Sequence, residues 1–162
     1  MSLKSPKERI PKVSPFVFKW MMNLYPPFLF GRIRVKYVSD DFQHIQVIVR
    51  KSLFNKNLSR SVFGGTMFAA ADPFYALMYW QNFAHQYKQK VKVWLKSAEI
   101  QYRKPAMTDL TLDFRITQAD VEEAKQAIEI KGKYTKIHEV ELIDKEGKVS
   151  ALVKLEPYVG LP

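Results

Sequence analysis

Two glycines and one acid carry most of the chemistry this sequence offers. Gly64 and Gly65 open the apolar run of "NLSRSVFGGTMFAAADPFYALMYW", Asn57 to Trp80, and Asp72 is the one formally charged residue between Ser61 and Tyr87. An isolated carboxylate in apolar surroundings is costly unless it is paired, hydrogen-bonded or neutralised. A helix beginning at the glycine pair presents N–H groups without intrahelical partners, at the positive end of the helix dipole. Such groups polarise a carbonyl, and glycine lets a ligand approach them, so the Gly64 amide is a candidate oxyanion donor for acyl transfer. At 3.6 residues per turn, Asp72 shares a face with Gly65, Phe68, Tyr75, Ala76 and Tyr79. Two roles are open to it. It can act as an acid-base group, or it can merely be satisfied by a local backbone or Tyr partner at the kink made by Pro73, which cannot donate to the Ala69 carbonyl.

The segment Gly64 to Tyr87 is too long for a strand, apolar on all sides and rich in Ala, Met, Phe and Leu, which predicts a buried helix kinked at Pro73. Before it, Phe16 to Leu24 reads as a short helix ended by Pro26 and Pro27. "RIRVKYVSDDFQHIQVIVR" alternates on both sides of Ser39-Asp40-Asp41 as a hairpin does, and a loop follows from Lys51 to Phe63. After it come a strand that Pro105 stops, the strand "LTLDFRIT", the surface helix "QADVEEAKQAIEI", and "YTKIHEVELID" paired with "VSALVKLEPY" across a turn in which Gly147 takes positive φ. The expected class is α+β, with an antiparallel sheet of about six strands wrapped around one long central helix. Residues 1–31 read as an N-terminal extension with a short helix, its first 15 residues Pro- and Lys-rich, and 32–162 as a single domain. An apolar helix covered from one side leaves a face for a second copy, so a homodimer or dimer of dimers is expected.

The chain has no cysteine, which removes disulfides, thiolate zinc sites and Cys nucleophiles. His44, His85 and His138 share no metal-ligand spacing, and "DDFQH" reads as a polar turn between strands. Nucleotide-binding loops and the Gly-x-Ser-x-Gly elbow are absent. No metal or cofactor is expected. Of the net charge of +10, +9 falls within the first 60 residues, where twelve Lys and Arg stand against three acids. That suits an anionic partner such as nucleic acid, an acidic lipid surface or coenzyme A. Nucleic acid is the weakest of these, because no RNA-binding motif accompanies the charge. Asp72 and Pro73 argue against a membrane span, and the N-terminus lacks a cleavage signal, so a cytoplasmic protein is expected.

Asn57, Phe63-Gly64-Gly65 and "MFAAADPFY" resemble the hotdog-fold thioesterases, specifically those of the phenylacetic-acid-pathway type and a subgroup known mainly as a domain of unknown function. In that pattern an Asn lies six residues before "His-Gly-Gly" and an acid eight residues past its first Gly; here Asn57 precedes Phe63 by six and Asp72 follows Gly64 by eight. "YPPFLFGRIRV" and "KSAEIQYRKPA" are similar to the same superfamily. The resemblance implies a hotdog fold and hydrolysis of an acyl thioester, with acyl-CoA as the partner, in a site shared by two subunits. The Gly64 amide would polarise the carbonyl, Asn57 would hold the carbonyl or water, and Asp72 would activate water or attack directly. Gly65, Phe63 and Phe68 would contact substrate. Phe63 stands where relatives often carry His, and Ser97 and Glu99 are the nearest candidates for a polar residue on the following strand; the plainer reading of Glu99 is a strand residue paired with Arg103 or another base on the same face. These departures also suit a non-catalytic acyl or lipid binder.

Overall fold

The long apolar segment folds as α3 (Gly64–Ala71) and α4 (Phe74–Asn82), followed by a wide π-helical turn (Phe83–Tyr87). The division falls at Asp72-Pro73, where the proline gives no N–H to the Ala69 carbonyl. The backbone stays right-handed through the step, so α4 continues from α3. The expected kink is thus a break between two helices. This computed structural model describes residues 12–162; the start of the chain read as a linker lies outside the described residues up to residue 11.

An antiparallel sheet wraps these helices in the order β1 (Ile33–Val38), β2 (His44–Val49), β4 (Leu110–Arg115), β6 (His138–Asp144), β7 (Val149–Gly160), β3 (Lys92–Tyr102). The short β5 (Lys133–Thr135) pairs with the end of β7 beyond β6. The architecture is the hotdog arrangement, with seven strands where about six were expected. The extra one arises because "YTKIHEVELID" breaks at Lys136-Ile137 into β5 and β6. Alternate residues of β2 and β4, such as Ile45, Val47, Leu110 and Leu112, are fully buried against the helices. Phe74, Met78 and Tyr79 meet them at 0% exposure, each burial being worth about 1.5–3 kcal/mol. Pro157 has no N–H to offer, and the β3–β7 register slips opposite it, between Leu95 and Ser97.

Pro26 and Pro27 do more than end the first helix. They begin a second, because proline at the first helical positions loses no hydrogen bond. α1 (Pro15–Leu24) and α2 (Pro26–Gly31) lie on β1 and send Phe18 and Phe28 into the common core. The Asn23 carboxamide donates to the Val35 carbonyl at 3.2 Å and accepts from its N–H at 2.7 Å, occupying edge positions of β1. The opposite edge, β3, pairs with β7 on one side, has no strand on its outer side among the described residues, and is mostly exposed. α5 (Gln118–Lys131) starts at a Thr117/Asp120 capping box, ends at Gly132 with φ 72°, and packs on β5 and β7.

Candidate active site

The loop between β2 and α3 is fixed by two asparagines. Asn55, 3% exposed, donates to the Gly31 and Arg50 carbonyls at 2.8 and 2.9 Å and accepts from Ser52 N–H at 2.8 Å. Its own carbonyl accepts from Phe63 N–H at 2.7 Å, which sets the residue that starts α3. The Asn57 carboxamide donates to Ser61 Oγ at 2.8 Å and accepts from Ser61 N–H at 3.1 Å. One Asn57 N–H is left over. Val62 N–H then reaches the Ala106 carbonyl at 2.9 Å, joining this loop to the one after β3.

Between these loops lies a pocket of about 590 Å³. Asn57, Phe63, Gly64, Gly65 and Met67 line one side, and Tyr102, Arg103, Lys104 and Pro105 the other. Among the described residues no group accepts from the N–H of Gly64 or Gly65, and Phe63 supplies no side-chain cap. Neither glycine has positive φ; their lack of a Cβ serves close approach. A Cβ on Gly64 would stand 2.9 Å from Cζ and Oη of Tyr102, and one on Gly65 would stand 2.4 Å from Cε1 of Phe63. Two aromatic rings of the protein itself therefore pack over the helix start. The Tyr102 hydroxyl also donates to the Gly64 carbonyl at 2.9 Å.

The pocket lining has no acid. It carries Arg103, exposed, and Lys104, which pairs with Asp144 at 2.5 Å. Tyr102, Arg103 and Ser61 were not marked by the sequence reading. The available signal was the basic pair between a strand end and Pro105, on the chain segment facing the glycine turn.

Asp72 is not part of this lining. Eight residues beyond Gly64, it lies about 12 Å along the helix at 1.5 Å per residue. It is half-buried, and burial alone pushes its carboxyl above the usual Asp range; no hydrogen bond or ion pair among the described residues offsets this. Its carboxylate accepts nothing from the backbone around Pro73. Phe68 is half-buried and lies outside the pocket as well. Ser97 and Glu99 sit on exposed β3, where Ser97 donates to Glu156 at 2.7 Å and Glu99 accepts from Gln101 at 2.7 Å. No Glu99–Arg103 pair is formed among the described residues; the Gln101 amide on the same strand face bonds one carboxylate oxygen instead.

Residues 15–159 match the family model described as a domain of unknown function, DUF4442. The chain belongs to that family. No curated protein matches its sequence. This DUF4442 chain superposes on a Pseudomonas aeruginosa protein described as a probable thioesterase, with TM-score 0.82 and 14% identity over 93% of this chain and 98% of that one. A thioesterase from Haemophilus influenzae gives TM-score 0.67 at 10% identity, covering 93% and 92% of the two chains. The PaaI protein of E. coli, from the phenylacetic acid degradation operon, gives 0.60 at 16%, covering 86% and 87%. At these identities the likeness is one of fold: this DUF4442 chain shares the hotdog fold of those proteins.

Proposed function

We propose that the chain hydrolyses an acyl thioester, with acyl-CoA as the substrate class. One observation carries the reading: the N–H groups of Gly64 and Gly65, without an acceptor among the described residues, begin a helix that lines a pocket with no acid in its lining and with exposed Arg103 on its far wall. A thioester carbonyl seated there accepts from the Gly64 N–H, whose donation strengthens as negative charge develops on the oxygen. Water adds to the carbonyl carbon, the C–S bond breaks, and a carboxylic acid and a thiol leave. The remaining Asn57 N–H is in place to hold the water or the carbonyl. Exposed Arg103 suits the phosphates of coenzyme A, whereas the Lys104 ammonium is held by Asp144.

The proton acceptor, or alternatively the nucleophile, is Asp72. Within one chain it is too far along the helix to serve, so the reading requires Asp72 of a second copy. The β3 edge is the place for that copy, since Asn23 occupies the β1 edge. β3 ends in Tyr102, a wall of the pocket, so a strand added beside β3 runs close to it.

The test is thiol release from a panel of acyl-CoA esters, from acetyl through aryl to long chain. Met67 within the pocket and exposed Leu58 and Phe63 at its mouth favour medium or long acyl groups. Turnover of acetyl-CoA faster than of decanoyl-CoA would contradict that preference, and no thiol release from any ester would contradict hydrolysis itself. The separation of Asp72 from the pocket favours a second reading, a non-catalytic acyl binder. Stoichiometric fatty acid released from the denatured protein, with no turnover, would select it.

A further inference from the structure

α1 is apolar on two opposite sides. Phe18 turns inward against the Phe42 ring at 5.5 Å, whereas Phe16, Val17, Trp20, Met21 and Leu24 form a stripe on the outer side, each 45–70% exposed. α2, packed beside α1, exposes Leu29 as well and Phe30 at 72%. Monomeric proteins rarely leave so continuous an apolar surface in water without a use for it. Asn55, bonded to the Gly31 carbonyl, sets a further exposed apolar loop carrying Leu53 and Phe54 against the end of α2.

Charge indicates what covers the stripe. α1 has no acid and carries Lys19, and the twelve residues that begin the chain hold Lys4, Lys7, Arg9 and Lys12 against Glu8 alone. β1, on which α1 lies, adds exposed Arg34 and Lys36. At the foot of α1, His85 bonds the Val13 carbonyl at 3.0 Å and Lys88 donates to the His85 carbonyl at 2.6 Å. Lys88 is thereby brought to Lys12, whose charged form its proximity disfavours. Neither ammonium has an acid partner among the described residues. A second copy of this chain would set the same cationic segment against itself.

We propose that the α1–α2 face docks on the surface of a bilayer containing anionic phospholipid. The aromatic and aliphatic stripe enters the boundary between headgroups and acyl chains, and the lysines and arginines meet lipid phosphates. No helix among the described residues is long and apolar enough to cross, so the helix lies in the interface. The docking face stands independently of whether the pocket hydrolyses a thioester. It also lies at the sheet edge away from β3, so a copy paired along β3 leaves it open.

The test is flotation of the full chain with vesicles of phosphatidylcholine alone and of phosphatidylcholine mixed equally with phosphatidylglycerol. Binding is expected to the mixed vesicles and to weaken with salt. The triple change Phe16→Ser, Trp20→Ser, Leu24→Ser should lower it by about tenfold or more while the chain still unfolds cooperatively, since each of these side chains is at least half exposed. Lys4→Gln, Lys7→Gln, Arg9→Gln, Lys12→Gln, which leaves the helix intact, should lower it by a similar factor. Equal binding to both vesicle types, or undiminished binding by the triple variant, would overturn the proposal. So would a parent chain that ignores vesicles while the triple substitution dissociates a larger assembly, which would assign the face to a second copy.

Discussion

The Tyr102 hydroxyl donates to the Gly64 carbonyl at 2.9 Å, tying the last residue of β3 to the first residue of α3. The bond closes the pocket on the side where β3 ends, and it depends on the missing Cβ at position 64. Gly64→Ala would press a methyl to 2.9 Å from the Tyr102 ring. Because the contact is the far end of a side chain, the ring can swing away, at a stability cost of about 1–3 kcal/mol. In Tyr102→Ala the same glycine substitution should cost less by about 0.5 kcal/mol or more. A double-mutant cycle by chemical denaturation measures this coupling, and additive losses would contradict the packing described.

Asn57 is bonded to Ser61 through both ends of its carboxamide. Asn57→Ala should therefore destabilise the chain by about 1–3 kcal/mol, since it removes both bonds and strands the buried Ser61 hydroxyl. Asn57→Asp, which keeps the acceptor for Ser61 N–H, should lose less. Urea unfolding of the two variants checks the order.

Much of the fold is legible in the sequence because its signals are local. Gly64, Pro73 and the alternation around Ser39-Asp40-Asp41 each set an element boundary through their own backbone chemistry. The exceptions are positions where one residue permits two outcomes: Pro26 ends a helix or starts one, and "YTKIHEVELID" serves as one strand or two. The site is legible only where neighbours in sequence are neighbours in space. Asn57, Phe63, Gly64 and Gly65 come together because one short loop joins them. Tyr102 and Arg103 reach the pocket through strand pairing across the sheet, which no local pattern encodes. Asn55 could be overlooked since its bonds to Gly31 and Arg50 are to backbone, leaving no complementary side chain to notice.

His138 should make the fold sensitive to acid. Its Nε2 lies 3.0 Å from the Tyr79 hydroxyl and its ring stacks on Tyr75. Burial there pushes its pKa down from 6.5 to about 4. As pH falls, the unfolded chain takes up the proton first, so stability is lost between about pH 6.5 and pH 4 and the loss is complete below that window. Allowing for partial solvent access, the loss is about 1–3 kcal/mol. Denaturation midpoints across this range, compared with those of His138→Gln, should show a flatter acid limb in the variant.

The open β3 edge should hold a second copy. Sedimentation equilibrium at micromolar concentration should return at least twice the chain mass of 19.0 kDa. On dilution toward monomer, amides of β3 (Lys92–Tyr102) should lose protection from hydrogen exchange before those of β2. A 19.0 kDa species at all concentrations would remove the shared site.

The most direct test of the account is Asp72→Asn, measured for thioester turnover and chemical denaturation on one preparation. The amide keeps the shape and removes the charge. If Asp72 is the acid-base group or nucleophile, kcat/KM should fall by roughly a hundredfold or more. Stability should hold or rise, because the ionised carboxylate is half-buried without a partner. On this reading the parent chain should also lose turnover on acidification through a group titrating above the ordinary 3.8, and the variant's residual turnover should lack that limb. An Asp72→Asn protein that is less stable yet fully active per folded molecule would contradict the catalytic assignment.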